Sequence, residues 1–313
     1  MMAARQGAIT VPGAWSDLDL AALRGLLLIV GAPNSGKSTF AHWLHGQLAR
    51  DGRRVAFLDG DVGQSALGPP TTLTLALALP QLVHWFIGDV TPRGRMLPLV
   101  VGAGRLARRA LEAGTETIIV DTTGLVQALH GGVALKHALV DQLQPETLLA
   151  LQQEGELEAI LAPLRWLPRP RVIELPVSQA ARPRDTQARQ AYRAEAFRRY
   201  FDGAGVVRLS LRGRAVFGGR AFAPRRLLAL QDAGGFALAL GVVVAYNQAR
   251  DELDARAPLN DLQAVASVQL GAIAVDAATG QESRPGRGQA SARARREETI
   301  ASPTYSQKKA TEW

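Results

Sequence analysis

The chain has 313 residues, none of them cysteine, with a formal net charge of +8 and 47% hydrophobic residues. This length suits one large domain or two ordinary ones and is enough to bury a substantial core. The lack of cysteine excludes disulfides, thiolate nucleophiles and zinc–thiolate sites, and it agrees with a reducing cytoplasm. The basic excess favours polyanionic partners such as nucleic acid, but an Arg-rich composition that only aids solubility explains it about as well.

The sequence shows no targeting or membrane-spanning signal. The first six residues lack the apolar core of a signal peptide. The longest apolar stretches, near residues 26–30 and 236–246, are too short to cross a bilayer. We therefore expect a cytoplasmic protein with no membrane partner.

In chain order, apolar segments of strand length alternate with helical patterns over the first two-thirds of the sequence. Strand patterns occupy 26–30, 54–58, 83–87, 117–120, 147–151 and 172–175, and helical patterns occupy 37–50, 104–113, 134–143 and 155–164. Such alternation indicates a parallel sheet with helices on both faces. The sequence therefore predicts an α/β fold with a doubly wound parallel sheet over residues 1–202, closed by a lid helix at about 183–201.

The sequence pattern changes after Phe201, where helical patterns give way to strand-like segments. Strand-like segments separated by glycine-rich breaks then follow at 206–211, 215–218, 227–230, 237–244 and 265–275. They predict a small β-rich module over 203–280. From Gln281 onward Pro, Gly, Ser, Arg and Glu dominate and the apolar periodicity stops, so residues 281–313 are predicted to be a disordered basic tail.

The most specific motif follows the first strand. Residues 31–38 read Gly-Ala-Pro-Asn-Ser-Gly-Lys-Ser and fit the G-x-x-x-x-G-K-[ST] phosphate-binding loop, or P-loop. A chance glycine-rich turn is disfavoured because a strand precedes the motif and a helix follows it. The lysine is expected to contact the β- and γ-phosphates and the serine hydroxyl to ligate Mg²⁺. The predicted nucleotide-binding residues are Gly31, Ala32, Pro33, Asn34, Ser35, Gly36, Lys37, Ser38 and Thr39.

Polar side chains follow two further strands. Residues 59–64 read Asp-Gly-Asp-Val-Gly-Gln, and Asp121 ends the 117–120 strand in a Walker B arrangement. Because the carboxyl ends of parallel strands face the ligand crevice, Asp61 and Asp121 are candidate Mg²⁺ ligands together with Ser38. Asp61 also lies where it can accept a proton from an attacking hydroxyl, and Gln64 where it can orient the nucleophile. Ordinary turn chemistry is the alternative for residues 59–64.

The predicted lid carries a series of basic residues. Arg189 and Arg193 are four residues apart and share a helix face, with Arg184 just upstream. Arginines on a mobile helix over a phosphate site stabilise the charge that develops during phosphoryl transfer. Spacing alone also fits a solvated basic helix.

Together these motifs resemble the polynucleotide 5′-hydroxyl-kinases, a family that includes RNA 5′-kinases, a pre-mRNA cleavage-complex subunit and pre-ribosomal-RNA processing kinases. The Asp-x-Asp-x-Gly-Gln hexapeptide is the most specific shared feature. The resemblance covers about residues 9–202, with shared segments at 9–15, 31–39, 59–64, 88–92, 99–102, 121–124, 148–152 and 154–157.

The resemblance implies roles for individual residues. Asp61 activates the 5′-hydroxyl, with Lys37 and Gln64 beside it at the reacting groups. The lid arginines that clamp the transferring phosphoryl group are Arg184, Arg189 and Arg193. The residues that position the nucleic-acid end are Thr91, Thr122 and Gly124. Leu125 stands where many eukaryotic members carry a tryptophan, so base stacking by this loop is not expected.

The sequence thus predicts a kinase that uses ATP and Mg²⁺ to phosphorylate 5′-hydroxyl ends of RNA, with DNA left open and no protein partner assigned. Two alternatives remain at this point. A nucleotide-bound scaffold in RNA processing would show no turnover, and an ATPase or GTPase switch would hydrolyse nucleotide without a 5′-hydroxyl acceptor.

Overall fold

The computed structural model describes residues 11–78, 81–178 and 185–284. Several predicted features lie outside these ranges: residues 9–10, the lid start at Pro183, Arg184, and residues 285–313 of the predicted tail. The helices are α1 Gly13–Ser16, α2 Lys37–Arg50, α3 Met96–Glu112, α4 Gly132–Leu143, α5 Glu158–Leu164 and α6 Thr186–Tyr200. The strands are β1 Gly25–Gly31, β2 Val55–Gly60, β3 Thr72–Ala78, β4 Gln81–Phe86, β5 Thr117–Thr122, β6 Thr147–Gln152, β7 Arg171–Pro176, β8 Gly205–Ser210, β9 Ala215–Phe217, β10 Arg226–Gln231, β11 Ala237–Asn247, β12 Glu252–Ala257, β13 Ser267–Val275 and β14 Glu282–Ser283.

Five parallel strands in the order β2–β5–β1–β6–β7 form one end of the sheet, with β7 at its edge. All residues of β2 and β5 are buried. Strands covered on both faces are apolar without alternation, which is why these segments stand out in the sequence. The order places β1, which leads into the P-loop, directly beside β5, which ends at the Walker B aspartate.

Side chains of β1 alternate between the two faces of the sheet, as strand geometry requires. Leu28 packs with residues of α3, α4 and α5, including Leu106, in one core cluster. Ile29 packs with α2 and with Trp15 of α1 on the opposite face. The predicted α/β class, with helices on both faces of a parallel sheet, is confirmed.

The segment between β2 and α3 differs from the prediction. The 83–87 strand exists as β4, but it pairs with β3 in an antiparallel hairpin that joins β2. Strand β3 was not predicted. Its sequence, Thr-Leu-Thr-Leu-Ala-Leu-Ala, has no helical pattern between it and β2, whereas the prediction was of strands that alternate with helices. Helix α3 begins at Met96, eight residues before its predicted start, and a proline lies within its first turn.

The strands after α6 continue the same hydrogen-bonded sheet through β11, which pairs with β4 at Ala237 and His84. Strand β12 was not predicted, although charged residues alternate with apolar ones along Glu252–Ala257, because it lacks the β-branched and aromatic residues typical of strands. Residues 281–284 of the predicted tail are described, and Glu282–Ser283 form β14 against β13. The division of the chain at 202 and 280 stays a prediction. No helix within the described ranges is long and apolar enough to span a membrane.

Candidate active site

The P-loop connects β1 to α2 and has backbone conformations that fit its sequence. Asn34 and Gly36 both have positive φ angles, of 64° and 83°. A Cβ on Gly31 would lie 2.6 Å from the Ser35 hydroxyl and 2.8 Å from the Leu151 carbonyl oxygen. The Ser35 hydroxyl is buried and finds no partner among the described residues. The loop is therefore a tight turn at the start of α2, where backbone N–H groups and the helix dipole favour an anion.

Lys37, the first residue of α2, is buried beneath this loop. Its Nζ donates a hydrogen bond to the Ala32 carbonyl oxygen over 2.8 Å. Burial lowers the pKa of Lys37, while the negative charges of Asp121 and Asp61 oppose that shift. The ammonium group thus lies between the loop and two carboxylates, as expected of a P-loop lysine.

Asp121 and Asp59 are register neighbours on β5 and β2. The pKa of Asp121 is raised from 3.8 to about 7, first by burial and then by the charge of Asp59, while Lys37 and a hydrogen bond with Ser38 oppose the shift. The Oδ1 atom of Asp121 is buried and has no donor in the described part of the chain. A buried carboxylate oxygen without a donor, beside a serine hydroxyl, has the donor chemistry that Mg²⁺ prefers.

No group of three or more His, Cys, Asp or Glu residues within the described ranges is arranged to hold a metal ion. Mg²⁺ in nucleotide sites takes only one or two carboxylates and completes its shell with water and phosphate oxygens. Ser38 and Asp121 fit this mode, whereas a cage built only of protein ligands does not.

Asp59 has a supporting function. Its carboxylate accepts hydrogen bonds from the Ser65 hydroxyl and from the backbone N–H groups of Ala66 and Leu67. Burial raises the pKa of Asp59 to about 6, and these hydrogen bonds oppose the shift. Asp59 therefore holds the chain that follows the hexapeptide.

Asp61, two residues further on, is only half-buried. Its Oδ1 accepts hydrogen bonds from the N–H groups of Gly63 and Gln64, which fixes the carboxylate at the turn.

The two glycines of the hexapeptide allow close packing against neighbouring backbone. A Cβ on Gly60 would lie 2.6 Å from the Asp121 carbonyl oxygen, and a Cβ on Gly63 would lie 2.6 Å from the Val90 carbonyl oxygen.

Helix α6 covers the P-loop and the hexapeptide. Asp185 caps its N-terminus by accepting a hydrogen bond from the Ala188 N–H. Arg189 donates from Nη2 to Asn34 Oδ1 over 3.1 Å, and its carbonyl accepts from Gln64 Nε2 over 3.3 Å. The Tyr192 hydroxyl donates to the Ser65 carbonyl oxygen. Arg189 and Gln64 thus meet beside the P-loop, and their predicted roles in the reaction stay predictions.

Arg193 is placed differently from Arg189. Its guanidinium forms a bidentate ion pair with Glu282 of β14, and both side chains are mostly buried, with 11% and 17% exposed. A Cβ on Gly280, in the turn before β14, would overlap the Ala194 carbonyl oxygen of α6. The lid helix is therefore attached to the end of the β13–β14 hairpin through Arg193.

The residues predicted to contact nucleic acid lie around the same crevice. The Thr122 hydroxyl is buried, donates to the Ile29 carbonyl oxygen over 2.7 Å and accepts from Lys136 Nζ over 2.9 Å. Gly124 packs against Pro33, and a Cβ there would lie 2.9 Å from the Pro33 Cα. Thr91 lies in the loop after β4. A direct contact of these residues with nucleic acid stays a prediction.

Lys136 of α4 was missed by sequence reasoning. It is fully buried and donates to the Thr122 hydroxyl and to the Thr123 carbonyl oxygen. Burial, and then the charge of Lys37, lower its pKa from 10.5 to about 7, while Asp61 and Asp121 oppose the shift. A signal was available, because Lys136 falls at helical spacing between Leu135 and Leu139 on the apolar stripe of α4.

The sheet order, the P-loop and the Walker B aspartate define a P-loop nucleotide-binding protein. The chain belongs to the family described as mRNA cleavage and polyadenylation factor CLP1 P-loop, which matches residues 31–203.

Curated relatives are consistent with this assignment. A polyribonucleotide 5′-hydroxyl-kinase of Pyrococcus furiosus is 32% identical over 201 residues, which is 61% of this chain and 55% of that protein. One of Pyrococcus abyssi is 26% identical over 315 residues, which is 80% of this chain and 87% of that protein. In the first of these alignments the chain spans only about half the length of the relative.

A solved structure is also similar. The structure of a wild-type Clp1p–Pcf11p complex matches with a TM-score of 0.61 at 13% identity, over 80% of this chain and 74% of that chain. At this identity the likeness concerns the fold alone.

Proposed function

We propose that this protein is a polynucleotide kinase that transfers the γ-phosphoryl group of ATP to the 5′-hydroxyl end of RNA. The observation that carries the proposal is the position of Asp61. It is a half-exposed carboxylate, fixed by two backbone N–H groups, next to the P-loop lysine and beneath the lid helix. A loop that only binds nucleotide has no need for such a base. The kinase names of the Pyrococcus relatives support the same activity.

The P-loop N–H groups and Lys37 bind the β- and γ-phosphates, and α6 covers them. Asp61 accepts the proton of the attacking 5′-hydroxyl. Arg189 meets the charge that develops on the transferring phosphoryl group, with Gln64 holding the lid through the Arg189 carbonyl. From the resemblance we assign Arg184 to the same lid function, and Thr91, Thr122 and Gly124 to the acceptor side of the crevice. The resemblance gives Arg193 this function too, but its ion pair with Glu282 favours a role in attaching the lid helix to β14.

Mg²⁺ would be held by Ser38 and Asp121, with Asp61 nearby, and would neutralise charge on the phosphates. The buried Oδ1 of Asp121, which has no donor in the described chain, supports this assignment.

The test is to incubate the protein with γ-labelled ATP and matched 5′-hydroxyl RNA and DNA oligonucleotides. We expect labelled 5′ ends on RNA, and the DNA arm measures sugar selectivity. Absence of any turnover would favour a nucleotide-bound scaffold, and phosphate release that does not depend on an acceptor would favour a hydrolytic switch. Either result would overturn the proposal.

A further inference from the structure

The loop between β4 and α3 borders the candidate active site. Gly63 of the hexapeptide is packed so closely on this loop that a Cβ there would lie 2.6 Å from the Val90 carbonyl oxygen. Gly63 also donates its N–H to the proposed base Asp61. The loop at Val90 therefore lies one residue contact away from the proposed base, through Gly63.

The same loop packs on the C-terminal strands. The Ala272 N–H donates to the Gly88 carbonyl oxygen over 2.7 Å, and a Cβ on Gly88 would lie 2.9 Å from the Gly271 Cα. The positive φ of Gly88, 78°, also disfavours other residues. Strand β13 is thus fixed against the loop that borders the proposed acceptor side of the crevice.

Four arginines belong to the segments that meet at this junction, and we name them the arginine surface: Arg93, Arg95, Arg226 and Arg284. The first two belong to the loop. Arg226 is held by hydrogen bonds from Nε to the Gly271 carbonyl oxygen and from Nη1 to that of Ala221. Arg284 donates to the buried carboxylate of Asp89 over 2.7 Å.

Asp89 balances the charge of Arg284, but the other three arginines of this surface have no such acid in the part of the chain that the structure describes. Among the described residues, no ion pair within 4.0 Å is formed by Arg93, Arg95 or Arg226. The Arg226 side chain is half-buried, and its pKa is lowered first by burial and then by the positive charge of Arg95. An arginine fixed by two backbone carbonyl groups and without an acidic partner in the described chain, beside further basic residues, favours the binding of an anion.

We propose that the arginine surface binds the phosphate backbone of the acceptor RNA, downstream of the 5′ end that lies at Asp61. This inference rests on the proposed function for the identity of the 5′ end. Phosphate contacts of this kind position a strand without reading its sequence, so the surface would add affinity for longer acceptors irrespective of base.

The test compares Arg93→Ala/Arg95→Ala with Arg50→Ala/Arg108→Ala. The control removes the same charge from exposed positions, at the end of α2 and in the second half of α3. KM is measured for a 5′-hydroxyl dinucleotide and for a dodecanucleotide at two salt concentrations. We expect the wild-type preference for the dodecanucleotide to fall roughly tenfold at low salt in the loop variant and to persist in the control. The plot of log affinity against log salt has a negative slope, and this slope should become shallower by about 1.4 if both phosphate contacts are lost.

Equal length preference in the two double variants would overturn the inference. The same result is expected if the surface binds an acidic protein instead of RNA. The proposed function can fail separately. If the wild-type protein labels no acceptor, the same variants are compared for binding of the dodecanucleotide by fluorescence anisotropy, and equal affinities would then contradict the arginine surface on their own.

Discussion

Three carboxylates at the ends of neighbouring strands differ in what surrounds them. Asp59 is satisfied by donors from the following chain, Asp121 is buried with one oxygen that lacks a donor in the described chain, and Asp61 is half-exposed and held by two N–H groups. Asp59 therefore supports the chain that follows it, and the roles that we propose for Asp121 and Asp61 are metal binding and proton transfer.

We expect Asp61→Asn to lose transfer activity while it keeps ATP affinity. The amide preserves the shape of the side chain but cannot accept the proton from the 5′-hydroxyl. End-labelling and ATP titration on the same preparation check this, with Asp19→Asn as an exposed control. If Asp61→Asn transfers normally while Asp121→Asn alone is inactive, the base is not Asp61.

Asp121 also makes a pH-dependent contribution to stability. Its pKa is raised from 3.8 to about 7, so between these values the folded protein holds a proton that the unfolded chain has released. The contribution of this group to stability therefore falls as the pH rises through that window. We expect Asp121→Asn to raise the Tm of nucleotide-free protein at about pH 8, on the order of a few kcal/mol in unfolding free energy, and to raise it by a clearly smaller amount at about pH 5.

Thermal denaturation without nucleotide or Mg²⁺ measures this effect, and the exposed Glu112→Gln serves as the control. A Tm for Asp121→Asn that lies below wild type at the higher pH would contradict the assignment.

The P-loop and both Asp61 and Asp121 were visible in the sequence because each depends on a local motif. Lys136 was not found, because its function depends on a long-range contact with Thr122 and Thr123 across two elements. Similarly, nothing local to Arg193 indicates that its partner is Glu282, 89 residues away. Motifs specify local geometry, whereas partners of this kind are set by tertiary packing.

At the scale of elements, the lid helix α6 has two attachments. Arg189 and Tyr192 connect it to the P-loop and to the chain after the hexapeptide, and Arg193 connects it to β14. The helix was predicted from its sequence, but its second attachment was not, because Glu282 lies in a segment whose composition predicted disorder.

We expect Arg193→Ala and Glu282→Ala to reduce Tm and kcat to similar extents, and the double variant to be no worse than either one. Both side chains serve one mostly buried ion pair, so the second substitution has nothing further to remove. Thermal denaturation and steady-state kinetics on the three variants check this. The exposed pair Arg208–Asp254 is the control and should be nearly neutral.

Additive effects in the double variant would contradict this account of the pair. A kcat for Arg193→Ala far below that of Glu282→Ala would instead indicate that Arg193 acts on the phosphoryl group itself, as the resemblance implies.

At the scale of the whole molecule, the parallel part of the sheet was predictable and its extension was not. The strands β1, β2, β5 and β6 are buried and mostly apolar, and β7 is a more exposed edge strand. The joint between β4 and β11 is a single register pair, Ala237 with His84, and no sequence pattern indicates such a contact. The junction matters because it brings C-terminal side chains to both the lid and the acceptor side of the crevice.

The central claim is that this P-loop site transfers a phosphoryl group to a 5′-hydroxyl. The most direct measurement gives wild-type and Lys37→Ala protein γ-labelled ATP with one RNA that ends in a 5′-hydroxyl and the same RNA carrying a 5′-phosphate. With wild-type protein, we expect label only on the RNA that ends in a 5′-hydroxyl. With Lys37→Ala, we expect most of that label to be lost while the fold is kept, because the lysine charge acts on the β- and γ-phosphates. Label on the blocked RNA, or near wild-type labelling by Lys37→Ala, would contradict it.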